Sequence, residues 1–156
     1  MHIHLLTAGT RQPAWINAGY REFAKRLPPE CALRLREIPL STARRGHDVA
    51  RAVSDEGRKM LAAVPGGARV AALVVNGRSF SSEALARQLQ RWLQDGRDLA
   101  LMIGGPDGLA PDCLARAELQ WSLSPLTLPH GLVRIVVAEQ LYRAWTILKG
   151  HPYHRA

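Results

Sequence analysis

The chain has 156 residues, 47% of them hydrophobic, which supports one folded domain (residues 1–156) with a real core and excludes a disordered polypeptide. Its balance is basic: 21 Lys and Arg against 13 Asp and Glu give a formal net charge of +8. Lysine occurs only at Lys25, Lys59 and Lys149, so nearly all the positive charge sits on arginine forks, which match phosphate oxygens and stack on bases. A nucleic-acid partner follows naturally, with solubility alone as the plainer explanation. Cys31 and Cys113 form no CxxC pair, and no segment approaches the ~18 apolar residues of a membrane span. The start, Met1–Gly9, has no basic region before its short apolar run, so a cytoplasmic chain with no membrane partner is expected.

In chain order, His2–Ala8 reads as a short strand closed by Gly9. Pro13–Leu27 carries Trp15, Ile16, Tyr20, Phe23, Ala24 and Leu27 at helical spacing and is stopped by Pro28-Pro29. Cys31–Ile38 alternates apolar and charged residues, as a half-exposed strand does. A helix over Asp48–Val64 ends at Pro65-Gly66-Gly67, and an apolar strand over Val70–Val75 is closed by Asn76-Gly77. Ser82–Leu93 is a helix with Ser81 or Ser82 as its cap, ending at Asp95-Gly96. Leu99–Ile103, five apolar residues in a row, predicts a strand buried on both faces, and a short helix follows from Pro111. A brief strand at Leu119–Ser122 leads into an apolar, proline-bearing run, and a long helix from about Gly131 to Lys149 stops at Gly150. The alternation predicts an α/β domain with a mostly parallel sheet flanked by helices.

Between Leu132 and Ala138 only Arg134 is polar, so that helix is apolar around most of its circumference and needs cover on more than one side. A symmetric partner subunit would supply it, as would an overlying loop.

Two runs carry chemistry. The buried strand ends in Gly104-Gly105-Pro106-Asp107-Gly108, three glycines in five residues, at the strand end where open α/β sheets bind ligands. Leu123-Ser124-Pro125-Leu126-Thr127-Leu128-Pro129-His130 suits neither helix nor regular strand. Together they suggest a cleft for an apolar or aromatic ligand group. No Lys-Ser or Lys-Thr follows the glycines, which excludes a phosphate-binding P-loop, and the G-x-G-x-x-G fingerprint of a nucleotide-dependent oxidoreductase is absent. His130, His47, His151 and His154 have no cysteine or carboxylate at ligand spacing, so no metal is expected. The tail, His151-Pro152-Tyr153-His154-Arg155-Ala156, combines groups that can stack on a base, bind phosphate and move a proton; a mobile polar end is the plain alternative.

These stretches resemble the SPOUT-class, trefoil-knotted RNA methyltransferases, and more closely their bacterial RlmH type, which methylates N3 of a pseudouridine in 23S ribosomal RNA. The similarity rests on Leu5–Thr10, Leu101–Gly108, Trp121–Ser124, Leu126–His130, Val137–Trp145 and His151–Arg155, in order along the whole chain. It implies a C-terminal trefoil knot (the SPOUT, or alpha-beta knot, fold), a homodimer, and S-adenosylmethionine (S-adenosyl-L-methionine) as methyl donor in a cleft lined by knot backbone. The substrate it implies is large-subunit ribosomal RNA, with an assembled ribosome supplying contacts that a +8 chain lacks on naked RNA. By position, the resemblance assigns cofactor contacts to Leu73, Gly104, Leu123, Ser124, Pro125, Leu126, Thr127 and Leu128, which suits an adenine that needs apolar contact and backbone donors on its edge. Three positions depart from the family: Val74 replaces a frequent aspartate, Arg78 a common lysine, and Pro125, without an N–H, a frequent alanine. His154, Tyr153 and Arg155 are the expected catalytic group, closing over the cofactor or facing a partner's cleft, with Glu139 orienting Arg143 or Arg134 or, in the plainer role, forming an ion pair within its own helix. The reading from another class is a non-catalytic RNA-binding α/β protein with a degenerate cleft.

Overall fold

The computed structural model describes residues 1–155. Five strands, β1 (Ile3–Ala8), β2 (Leu33–Ile38), β3 (Arg69–Ser79), β4 (Leu99–Ile103) and β5 (Leu119–Ser122), form one sheet in the order β2-β1-β4-β3-β5. Every pairing is parallel. Five helices connect or flank them: α1 (Ala14–Ala24), α2 (Val49–Ala62), α3 (Ser82–Asp95), α4 (Pro111–Arg116) and α5 (His130–Leu148).

The period-2 alternation of strand side chains divides the core in two. Ile3, Leu5, Ala71, Leu99, Leu101 and Ile103 point to the face covered by α1, α3 and α5. Leu6, Ala8, Val70, Ala72, Ala100 and Met102 point to the face covered by α2 and α4. β4 lies between β1 and β3 and is buried along its whole length, as its unbroken apolar run requires.

Local chemistry sets the element ends. The Ser81 side chain accepts from the Ala84 N–H to start α3, and Asp48 accepts from Arg51 N to start α2. Gly96 closes α3 at φ +79°. Three expected boundaries shift. α1 ends at Ala24, and Lys25–Leu27 continue as tighter turns before Pro28. β2 begins at Leu33, because Pro29–Cys31 forms a single 3₁₀ turn. β3 does not end at Val75: Asn76-Gly77 belongs to an excursion, after which the strand resumes pairing. Leu73 pairs with Trp121, residues 74–77 bulge out, and Arg78 and Ser79 rejoin β5 at Trp121 and Ser122. Gly77 is required there, since a Cβ would stand 2.7 Å from the Gln120 carbonyl carbon.

α5 packs between α1 and α3 on the sheet. Every one of its residues is buried or half-buried, although the helix has no single polar face. The expected break in its apolar run, Arg134, is its largest fully buried side chain. Nη1 donates to Glu37 Oε2 at 3.0 Å and Nη2 to Thr7 Oγ1 at 3.2 Å, at the C-terminal ends of β2 and β1. Glu139 pairs with Arg143 one turn on (2.6 Å), not with Arg134. Both cysteines are free and buried, and burial pushes the Cys31 thiol up to about 11. Among the described residues no helix is long and apolar enough to cross a membrane.

Candidate active site

Parallel strands release their chains at one edge of the sheet, and here three of them open onto one cavity of about 550 Å³. β3 contributes Leu73 and, through its bulge, Val74 and Val75; β4 contributes Ile103. The Gly104–Gly108 turn forms one wall, and residues 123–130 form the opposite one, leading into Val133 of α5. Trp121 closes the floor from β5, edge-on to Phe80.

Of the residues assigned by resemblance, Leu73, Gly104, Leu123, Ser124, Leu126, Thr127 and Leu128 all line this cavity. Pro125 does not. It is exposed at the loop tip, and its neighbours carry the loop's hydrogen bonds. Ser124 Oγ accepts from Leu126 N at 3.0 Å, while Ser122 Oγ donates to the Ser124 carbonyl at 3.0 Å. These bonds set the loop's shape and leave the Thr127 and Leu128 N–H groups without an acceptor among the described residues.

Gly104 has a reason beyond ligand approach. A Cβ on it would stand 2.5 Å from the Gly108 carbonyl carbon, because the turn folds back on itself through a Gly105–Gly108 bridge. Gly108 takes φ +83°, a region that suits glycine. The glycines thus build the wall by letting backbone lie on backbone.

His130 also lines the cavity, at the first turn of α5, where the apolar run 123–130 that suggested a cleft wall ends. Its Nε2 lies 3.4 Å from Gln12 Nε2, and burial, with the nearby Arg134 charge second, holds its imidazole below the ordinary histidine range. Among the described residues no three His, Cys, Asp or Glu side chains gather as metal ligands.

The tail lies elsewhere. Pro152–His154 forms a 3₁₀ turn folded back on α5, where Tyr153 Oη donates to Glu139 Oε1 at 2.9 Å. Its ring sits 4.7 Å from that of Tyr142, and the Arg143 guanidinium lies over it at 5.1 Å. Tyr153, His154 and Arg155 contribute nothing to the lining of the cleft of their own chain. Within one chain the tail and the cleft stand apart. His130 begins α5 and Glu139 lies nine residues along it, ~13 Å up the axis, so the tail docks well away from the cleft mouth.

The arrangement compares closely with known proteins. The family model described as "Predicted SPOUT methyltransferase" matches residues 1–154. A protein named ribosomal RNA large subunit methyltransferase H from Alkalilimnicola ehrlichii is 59% identical over 156 residues, covering all of both chains. Among solved structures, a probable methylase family protein from Haemophilus influenzae superposes with a TM-score of 0.60 at 12% identity, covering 99% of this chain and 70% of that one. A Legionella pneumophila protein solved in complex with the bound cofactor SAM superposes with a TM-score of 0.50 at 10% identity, over 93% of this chain and 66% of that one. The full-length match, the order of the motifs and the all-parallel sheet agree: this chain belongs to the SPOUT methyltransferase family and has that family's knotted α/β fold.

Proposed function

We propose that this methyltransferase transfers the methyl group of S-adenosylmethionine to N3 of a pseudouridine in 23S ribosomal RNA, as a cytoplasmic homodimer acting on the assembled ribosome. The observation that carries this reading is the apolar cavity of about 550 Å³ formed by the β3 bulge, the glycine turn and the 123–130 loop. That volume lies within the range of small-molecule sites, about 300–1,000 Å³.

The residues fit the cofactor. Leu73, Ile103, Leu123 and Leu126 offer an aromatic ring apolar walls, and the free Thr127 and Leu128 N–H groups offer its edge hydrogen-bond donors. When bound, S-adenosylmethionine supplies an electrophilic methyl group on its sulfonium. The chain must present the uracil-like ring in line with that methyl and remove the N3 proton. His154 is the base we assign, with Tyr153 positioning the tail and Arg155 holding phosphate or the base edge.

In one chain these side chains stand on the α5 surface, away from the cleft, so we place them at the cleft of a second copy. α5 supports this: Leu132, Val133, Ile135 and Val136 are only half-buried, and α1, packed against it, exposes Trp15 at 62%. Sedimentation equilibrium tests the assembly, with twice the chain mass expected. The activity is tested by incubating the protein and S-adenosylmethionine with ribosomes from a strain lacking it, then mapping methylated nucleotides by mass. Methylation at one 23S pseudouridine is expected. Cofactor binding with no methyl transfer to any ribosomal particle refutes the proposed activity, and absence of cofactor binding leaves the non-catalytic RNA-binding reading.

A further inference from the structure

One charged side chain outside the cleft holds its wall from behind. Within residues 104–109 the cavity is lined by every residue except Asp107. Asp107 turns away from it and accepts a hydrogen bond from Nη1 of Arg44. The rest of that guanidinium is fixed on α2: Nε donates to Glu56 Oε2 at 2.9 Å and Nη2 to Glu56 Oε1 at 2.6 Å. Glu56 is 3% exposed and accepts as well from the Ser41 backbone N–H at 2.7 Å. The same segment puts Leu40 Cδ2 3.3 Å from where a Cβ on Gly105 would lie.

We propose that Arg44 is a positioning residue for the cleft, strapping the Gly104–Gly108 turn to α2 through Asp107 and Glu56. A turn with three glycines has few side chains to pack and a large backbone entropy to lose, so it needs an external tether to hold one conformation. Arg44 is suited to that role because its planar fork is already oriented by the bidentate pair with a buried carboxylate. Little further ordering is needed to hold Asp107. The strap bears on cofactor affinity through the position of the Gly104–Gly105 backbone, without touching the ligand. Nothing else on that side of the turn carries charge to replace it among the Asp107 contacts described.

This inference rests on the reading that the cleft takes S-adenosylmethionine, and its test separates the two. The full-length protein is titrated calorimetrically with S-adenosylmethionine. Asp107→Ala keeps the buried Arg44–Glu56 pair and is expected to raise Kd roughly fivefold, the scale of one partly exposed ion pair. Backbone amide exchange should accelerate at Gly104–Leu109 and not in α2. In turnover, KM for S-adenosylmethionine should rise with Kd while kcat changes by less than about twofold. Arg44→Ala leaves Glu56 buried without its partner and stands to fold poorly; Arg44→Lys, which cannot bridge two carboxylates as a fork does, tests the same point in a folded chain and should match Asp107→Ala. An Asp107→Ala protein with wild-type Kd and wild-type exchange in the turn overturns the proposal, as does a lowered melting temperature with Kd unmoved. Failure of the wild-type chain itself to bind S-adenosylmethionine overturns the cleft reading instead.

Discussion

Replacing Gly104 by alanine tests whether the glycine turn is a wall of fixed position. The added Cβ would stand 2.5 Å from the Gly108 carbonyl carbon, 2.8 Å from Leu109 N and 2.9 Å from Gly108 O. Ordinary carbon contacts lie at about 3.5–4.0 Å, so the two strands of the turn must part by ~1 Å. All three atoms are backbone, and no flexible side chain can yield in their place. Overpacking of this kind costs about 1–3 kcal/mol. The turn can relieve it only by lifting toward the cavity or by pulling on the end of β4, which is buried on both sides. A ~1 Å displacement of a positioning element costs roughly 100-fold in function. The expected result is therefore a fall of roughly 100-fold in affinity for S-adenosylmethionine with a melting temperature only a few degrees lower, read by calorimetry and by thermal denaturation. Gly66→Ala is the control, because it has open space within 4 Å and should change neither quantity. Gly108→Ala separates strain from collision: its Cβ meets nothing, but φ is +83°, so it should lose about 1–2 kcal/mol of stability with a smaller loss of affinity. A Gly104→Ala protein that binds within twofold of wild type would show that the turn moves freely, and would refute the reasoning.

Four other outcomes are expected. Arg134→Met removes a fully buried guanidinium and leaves Thr7 Oγ1 without its donor; urea denaturation should show a loss of about 1–3 kcal/mol. His130 is held below the ordinary histidine range in the fold by burial and then by Arg134, so below pH about 6.5 the unfolded chain takes up more protons than the folded one. Stability should accordingly fall as pH falls through that region and be regained as it rises, and His130→Gln should flatten the slope between denaturation curves at roughly pH 7.5 and 5.5. Tyr153→Phe removes the 2.9 Å bond to Glu139 while keeping the ring against Tyr142, so it should release the tail without changing cofactor affinity. His154→Ala should abolish methyl transfer to ribosomes with Kd for S-adenosylmethionine unchanged; methylation at the wild-type rate would remove His154 as the base.

The parts of this fold that were legible in the sequence are those whose cause is local. Leu99–Ile103 begins and ends where its apolar run does, and Ser81 and Gly96 bound α3 because a hydroxyl cap and a left-handed glycine act within one turn. Asn76-Gly77 misleads for the opposite reason. In an isolated ribbon that pair favours a turn, but here β5 lies alongside and captures Arg78 and Ser79 after the bulge, and the ladder outweighs the local preference. The bulge matters to the site, since it delivers Val74 and Val75 to the cavity. Arg134 was legible only as an interruption of an apolar helix. Its burial depends on Thr7 and Glu37, 127 and 97 residues away, which no window along the chain can bring together. The tail shows the same division most clearly. Its composition announces binding chemistry, but which surface it docks on is settled by Tyr142, Arg143 and Glu139 on α5, and that surface is not its own chain's cleft. If His154 and Arg155 act in the reaction, the site needs a second copy of the chain, so an assembly deficient in dimer should keep cofactor binding and lose methyl transfer. The long apolar helix and the reactive tail, separate puzzles in the sequence, then have one physical answer: the interface that covers α5 also completes the site.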